Sequence, residues 1–241
     1  MSTQPGFDAI EAALEKLYGN QPCKHFSTAV KYAQGGPHPL DGISAFVNTS
    51  PRPHFHYITY GFSELYAKES DLPDQSGWGF ELSFRFTRRP EETEPPIWAT
   101  MMLQKLAQYV FQSGRPFKIG DHIDMQQPIT LDKTIPTRMT AYAFALDPQL
   151  GELKTPNGRV KFTTLVGLLP TEKPATTKDG AEGILGRLAA ADPLYIVDLN
   201  RTDTPKPAAP AAPSAPPAGQ KPWTPPPLPP KPQKPKDPFA F

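Results

Sequence analysis

Fifteen of the 38 residues from Thr204 to Phe241 are proline, and alanine, lysine and serine fill most of the gaps between them. Proline gives no N–H to a helix or a sheet ladder, and so little apolar surface cannot offset the entropy of ordering the chain. Residues 204–241 are therefore expected to form a disordered, polyproline-like tail, and residues 1–203 the foldable part. That part keeps the remaining 18 of the 33 prolines and nearly all the large apolar residues, enough for one large domain.

Charge divides the same way. The chain has 25 basic and 24 acidic residues, but the tail holds five lysines and one aspartate, or +4, which leaves −3 on the body. A mildly acidic body is a poor match for phosphate, so no nucleic-acid partner is expected. The single cysteine, Cys23, can build neither an internal disulfide nor a paired-cysteine zinc site. The opening residues, MSTQPGFDAIEAAL, have no basic and apolar regions of a signal peptide, and no apolar run approaches the roughly 18–20 residues that cross a bilayer. The cytoplasm is the expected location, with no membrane contact, and the glycosylation-like triplets at Asn48 and Asn200 read as chance matches.

Periodicity supplies the elements. Phe7, Ile10, Leu14 and Leu17 fall on one face of a helix that Gly19 stops. His54–Tyr60 reads as a strand. In Phe80–Phe86 the apolar residues Phe80, Leu82, Phe84 and Phe86 point one way, and Glu81, Ser83 and Arg85 the other. Two prolines lead into a helix over Ile97–Ser113, whose stripe is Met102, Leu103, Leu106, Tyr109 and Val110, and Gly114 ends it. Residues 34–42 and Asp147–Gly158 read as turns, Thr140–Leu146 and Val160–Val166 as strands, Ala181–Ala191 as a short helix and Leu194–Leu199 as a final strand. Strands and helices interleave irregularly. This predicts an α+β fold, with a mixed, mostly antiparallel sheet and packed helices in a single globular domain.

Chemistry-bearing patterns are sparse. His54 and His56 share one face of their strand, and His122 or Asp121 would have to supply a third metal ligand; hydrogen-bonded histidines beside the sheet are the alternative. The run Ser76–Phe80 lacks the order and the following helix of a phosphate-binding loop, so its glycines read as a turn that delivers Trp78 and Phe80 to the core. No nucleophile elbow, zinc-protease or Walker string occurs, and nothing marks Cys23 as activated. No catalytic set and no cofactor are expected. In the tail, Pro226, Pro229 and Lys231 have the spacing of a proline-rich ligand for aromatic grooves.

Several strings, in one order over about residues 7–200, resemble the Suppressor of fused family: GGPHPLDGISAF, HYITYGFSELY, SGWGFELSFRF, WATMMLQKLAQYVFQSG with GDHI, and TPNGRVKFTTLVGL. The resemblance implies a binding protein without catalysis. Animal members hold Gli transcription factors in an inactive complex, gripping a peptide strand between two lobes, and this chain resembles the first lobe alone. Bacterial members are commonly single-lobed, and some are thought to neutralise toxins. By the resemblance, Tyr109 and Asp121 match partner-binding positions of the family, with Asp147 beside them. A family glutamate is replaced by Leu146. The main expectation is an immunity-type protein that neutralises a toxin by occlusion. The alternatives are a scaffold or regulator of a signalling or transcription-factor partner, and a metal-dependent enzyme using His54, His56 and His122.

Overall fold

A computed structural model describes residues 3–30, 32–174 and 180–204. Residues 205–241 of the tail, with Pro226, Pro229 and Lys231, lie outside the described residues.

Eight strands form one sheet: β1 (Lys24–Ser27), β2 (Gly42–Asn48), β3 (His54–Tyr60), β4 (Gln75–Thr87), β5 (His122–Asp124), β6 (Ala141–Leu146), β7 (Glu152–Thr155) and β8 (Gly158–Leu168). Their order is β1-β2-β3-β4-β8-β6-β5, and β7 also pairs with β8. Every pairing is antiparallel except β4 with β8. Among the described residues three α-helices accompany the sheet: α1 (Pro5–Tyr18), α2 (Ile97–Ser113) and α3 (Glu182–Ala191). The α+β fold with a mixed, mostly antiparallel sheet is as the sequence predicts.

Helix α2 packs on one face of the sheet. Met102, Leu103, Leu106 and Val110 meet Phe80, Leu82, Phe84, Phe86, Tyr142 and Phe144 in the largest core cluster. The Tyr57 hydroxyl donates to the Pro96 carbonyl (2.9 Å), which fixes where α2 starts. Gly114, at φ +68°, closes the helix by donating its N–H to the Val110 carbonyl (2.9 Å), a left-handed cap that glycine takes without Cβ strain.

The opposite face carries two smaller clusters. Ile10 and Leu14 of α1 pack with Phe46, Ile58, Tyr60, Leu65 and Phe162, while Ile184, Leu185 and Leu188 of α3 cover Ala141, Ala143, Ala145, Val166 and Leu168. The first turn of α1 lies so close to the 61–66 loop that a Cβ on Gly6 would sit 2.1 Å from the Glu64 carbonyl oxygen, so only glycine fits there.

Glu81, Ser83 and Arg85 point away from Phe80, Leu82, Phe84 and Phe86, as the alternation predicts, and are fully buried there, because α1 and the turn after β6 cover that side. Three readings of the sequence are corrected. The stretch from Asp147 to Gly158 contains β7, joined to β8 by a two-residue Pro156–Asn157 turn. Leu194–Leu199 is not a strand: Val197 makes a lone parallel bridge to Phe86. Residues 34–42 do form a loop, but strand β2 starts at Gly42, and β1 and β5 carry no recognisable alternation.

Candidate functional site

Helix α2 presents Tyr109 at its outer edge, 40% exposed. After the Gly114 cap the chain folds back and lays Phe117 under Tyr109, with ring centres 5.7 Å apart and planes 14° from parallel. Phe117 stacks in turn on Phe144 of β6, at 4.1 Å and 13°. Tyr109 is thus the outer ring of a three-ring stack rooted in the sheet. Its hydroxyl is positioned by packing, at little entropic cost to binding.

Asp121 follows in a tight turn. Its Oδ2 accepts the Lys118 N–H (2.9 Å), its N–H donates to the Lys118 carbonyl (3.0 Å), and its carbonyl accepts the Phe144 N–H (3.0 Å). The first of these is the local bond an aspartate makes in a turn, and the residue is exposed. Tyr109, Arg115, Phe117, Asp121, His122 and Ile123 line one cavity of about 240 Å³. The structure therefore brings Tyr109 and Asp121 together.

Strand β5 begins at the next residue. It ends the strand order, pairing only with β6 through His122–Ala143, Ile123–Tyr142 and Asp124–Ala141. No described strand covers its outer edge. A free edge offers a ladder of backbone donors and acceptors to an incoming extended segment. Leu146 (41% exposed) and Ile119 (46% exposed) add apolar surface. Leu146 alternates with Tyr142 and Phe144 and so belongs to the α2 face. Ile119 and the stacking role of Phe117 have no periodic signal in the sequence.

Asp147 is elsewhere. It lies on the α1 face, 1% exposed, and is not a surface contact. Its two oxygens take the Arg85 guanidinium at 2.7 and 3.1 Å, Oδ2 also takes the Ser83 hydroxyl (2.5 Å), and Oδ1 takes the N–H groups of Gln149 and Leu150 (2.9 Å each). Burial pushes its pKa up, but His56 and Arg85 outweigh that and hold the carboxyl far below the usual range. A carboxylate so enclosed binds the core together and leaves nothing for a partner.

The histidines are also separated. His56 is fully buried, bonded at Nδ1 to the Tyr18 hydroxyl, with Nε2 3.5 Å from Asp147 Oδ2. Burial and the Arg85 charge press its pKa down to about 3. His54 Nδ1 faces the Arg52 carbonyl (2.8 Å). Four strand steps separate β3 from β5, about 19 Å at a strand spacing of about 4.8 Å, so His122 cannot join His54 and His56 on one metal. Among the described residues no group of three or more histidine, cysteine, aspartate or glutamate residues is arranged to hold a metal ion. No helix among them is long and apolar enough to cross a membrane.

Comparison with known proteins gives one result. The model of the Suppressor of fused protein family matches residues 36–202. The Suppressor of fused homologs of Homo sapiens and Mus musculus are each 37% identical over 214 residues, which cover 83% of this chain and 44% of theirs. The chain thus spans less than half the length of these relatives. Among solved structures, the crystal structure of the Sufu–Fu complex has a chain that superposes with a TM-score of 0.78 at 28% identity, over 84% of this chain and 93% of that one. Drosophila Suppressor of Fused gives 0.75 at 28% identity, over 84% and 51%. A homologue from Neisseria gonorrhoeae FA 1090 gives 0.57 at 15% identity, over 83% and 96%, and shares the fold.

Proposed function

The chain belongs to the Suppressor of fused family, and from that premise we propose that it is a non-enzymatic protein-binding module, a scaffold or regulator that holds a signalling or transcription-factor partner. The partner's contact is the surface formed by Tyr109, Asp121 and the open edge of β5. An extended partner segment adds to the β5 edge through its backbone. The Asp121 carboxylate and the Tyr109 hydroxyl then select among side chains, and Phe117 holds the tyrosine in place.

The observation that carries this reading is the juxtaposition of Tyr109 and Asp121, both exposed, in one cavity beside a strand edge that no described strand covers. The charged groups with the strongest perturbation, Asp147 with His56 and Glu81, sit inside the fold, where a substrate cannot reach them. The regulator reading has more behind it than the immunity-type reading. The relatives with 37% identity are Suppressor of fused homologs of animals, whereas the Neisseria gonorrhoeae structure contributes likeness of fold.

Affinity capture with wild type and an Asp121→Arg variant tests the proposal. A protein recovered by the wild type and lost with the variant supports it; identical recoveries, with both proteins folded, contradict it.

A further inference from the structure

A second concavity, of about 550 Å³, lies past the end of α2 and shares its Pro116–Phe117 wall with the Tyr109–Asp121 cavity. Its floor is the seam between β4 and β8. Four residues of β4 lie between the pairs Gln75–Arg159 and Phe80–Lys161, against one residue of β8, so the ladder is interrupted there by a bulge. Paired residues share a face of the sheet. Lys161 stands between Phe80 and Glu152, and Arg159 between Gln75 and Lys154. Phe80 belongs to the α2 core cluster, so Glu152, Lys154, Arg159 and Lys161 project from the α2 face, at an end where no residue of α2 lines the concavity.

Lys118 adds a fourth cation from the opposite wall, and Asp74 and Glu152 are the carboxylates that line the concavity. Lys118, Lys154 and Lys161 are exposed, and their ammonium groups have no hydrogen-bond or ion-pair partner among the described residues. Arg159 is held loosely: its Nη1 is 3.9 Å from Glu152 Oε1, and its Nε donates to the Asp74 carbonyl at 3.4 Å. Four cations thus face two carboxylates, on a body that carries −3 by residue count.

Unpaired lysines gathered beside an apolar wall, in a body of the opposite net charge, attract an acidic segment. Glu152 stands opposite Lys161, and Asp74 bonds Arg159. A peptide can place its carboxylates at the lysines alone, whereas a nucleic-acid backbone carries a charge at every step and would meet Asp74 and Glu152. Lys118 and Asp121 close one turn, the Asp121 carboxylate accepting the Lys118 N–H (2.9 Å), so a segment that crosses Asp121 meets Lys118 next. We infer that the face of Lys118, Lys154, Arg159 and Lys161 docks an acidic segment of the partner protein, which rests on the reading of the adjoining Tyr109–Asp121 surface as partner-binding.

Carbodiimide coupling of a synthetic glutamate-rich peptide to the full chain at low ionic strength, with the coupled lysines identified by mass spectrometry, tests this. Adducts are expected at Lys118, Lys154 and Lys161 in excess of those at Lys16 and Lys133, which are also exposed. Lys118→Gln with Lys161→Gln is expected to lower the Lys154 adduct about fivefold, the effect of losing exposed ion pairs. Lys16→Gln with Lys133→Gln changes the net charge equally and is expected to leave that adduct unchanged. Each variant is verified as folded by its melting transition. Adducts confined to the lysines of residues 205–241, equal yields at all exposed lysines, an undiminished Lys154 adduct in the Lys118 and Lys161 variant, or displacement of the peptide by an equal concentration of an oligothymidylate would each overturn the inference. Partner capture separates the two surfaces. Capture lost with Asp121→Arg but undiminished with Lys118→Gln and Lys161→Gln contradicts this inference alone. Capture indifferent to Asp121→Arg but weakened by the two lysine changes contradicts the Tyr109–Asp121 reading and supports the lysine face.

Discussion

Asp147 and Arg85 hold each other through two hydrogen bonds, 2.7 and 3.1 Å, with both side chains out of contact with solvent. The pair ties the turn after β6 to the C-terminal end of β4, and Gln149 completes it by accepting from the same guanidinium (3.0 Å). Removing one partner leaves the other charge buried alone, at a cost of about 3–5 kcal/mol. Asp147→Ala is therefore expected to lower the free energy of unfolding by about that much, whereas Arg85→Met with Asp147→Leu is expected to cost less than the single change. Urea unfolding of the three proteins decides. A single variant as stable as wild type would show that the pair does not organise the core.

Two buried groups give opposing pH dependences. Burial, helped by the Arg85 charge, presses the His56 imidazole to about 3 from 6.5. Its contribution is whole above pH 6.5 and declines as pH falls toward 3, because the unfolded chain takes a proton that the folded chain refuses. Burial pushes Glu81 up to about 7 from 4.5, against the hydrogen bonds from Ser63, Thr59 and Gly61. Its contribution is whole below pH 4.5 and is lost as pH rises through 7. Glu81→Gln keeps an acceptor for the Gly61 and Ser63 donors and deletes this second dependence. Between pH 6.5 and 4.5 the variant is expected to lose stability on acidification more steeply than wild type, by up to about 1.4 kcal/mol per pH unit. Urea midpoints at pH 6.5, 5.5 and 4.5 measure it, and parallel profiles would contradict the account.

Gly114→Ala isolates the cap of α2. No atom lies within 4 Å of the added methyl group, so the change tests the backbone alone at φ +68°. A loss of about 1 kcal/mol is expected in thermal unfolding, and no loss would mean that α2 ends by tertiary contact rather than by its cap.

Much of the fold is readable from the residues. Helix α2 announces itself through a 17-residue apolar period between two prolines and a glycine, and β4 through its alternation. Period alone, however, cannot separate a solvated face from one covered by a further layer, so the alternation gives the facing of Glu81, Ser83 and Arg85 but not their burial. Val197 meets only the end of β4, beyond the last β4–β8 pair at Phe84 and Leu165, so a strand-like sequence finds room for one bridge. At the site, Tyr109 and Asp121 are visible through the family resemblance. Phe117 and the β5 edge are not, since a ring stack and an unpaired edge depend on contacts made far along the chain. Leu146 and Asp147 are neighbours in sequence and fall on opposite faces, as strand geometry requires.

Docking of a partner protein at Tyr109, Asp121 and the β5 edge can be read with a photo-crosslinking amino acid placed at Tyr109, and separately at exposed Lys16 on α1. A protein adduct is expected from position 109 that disappears when Asp121 is changed to arginine, and none from position 16. An adduct of equal yield from both positions, or one at 109 that persists with Asp121→Arg, would contradict it.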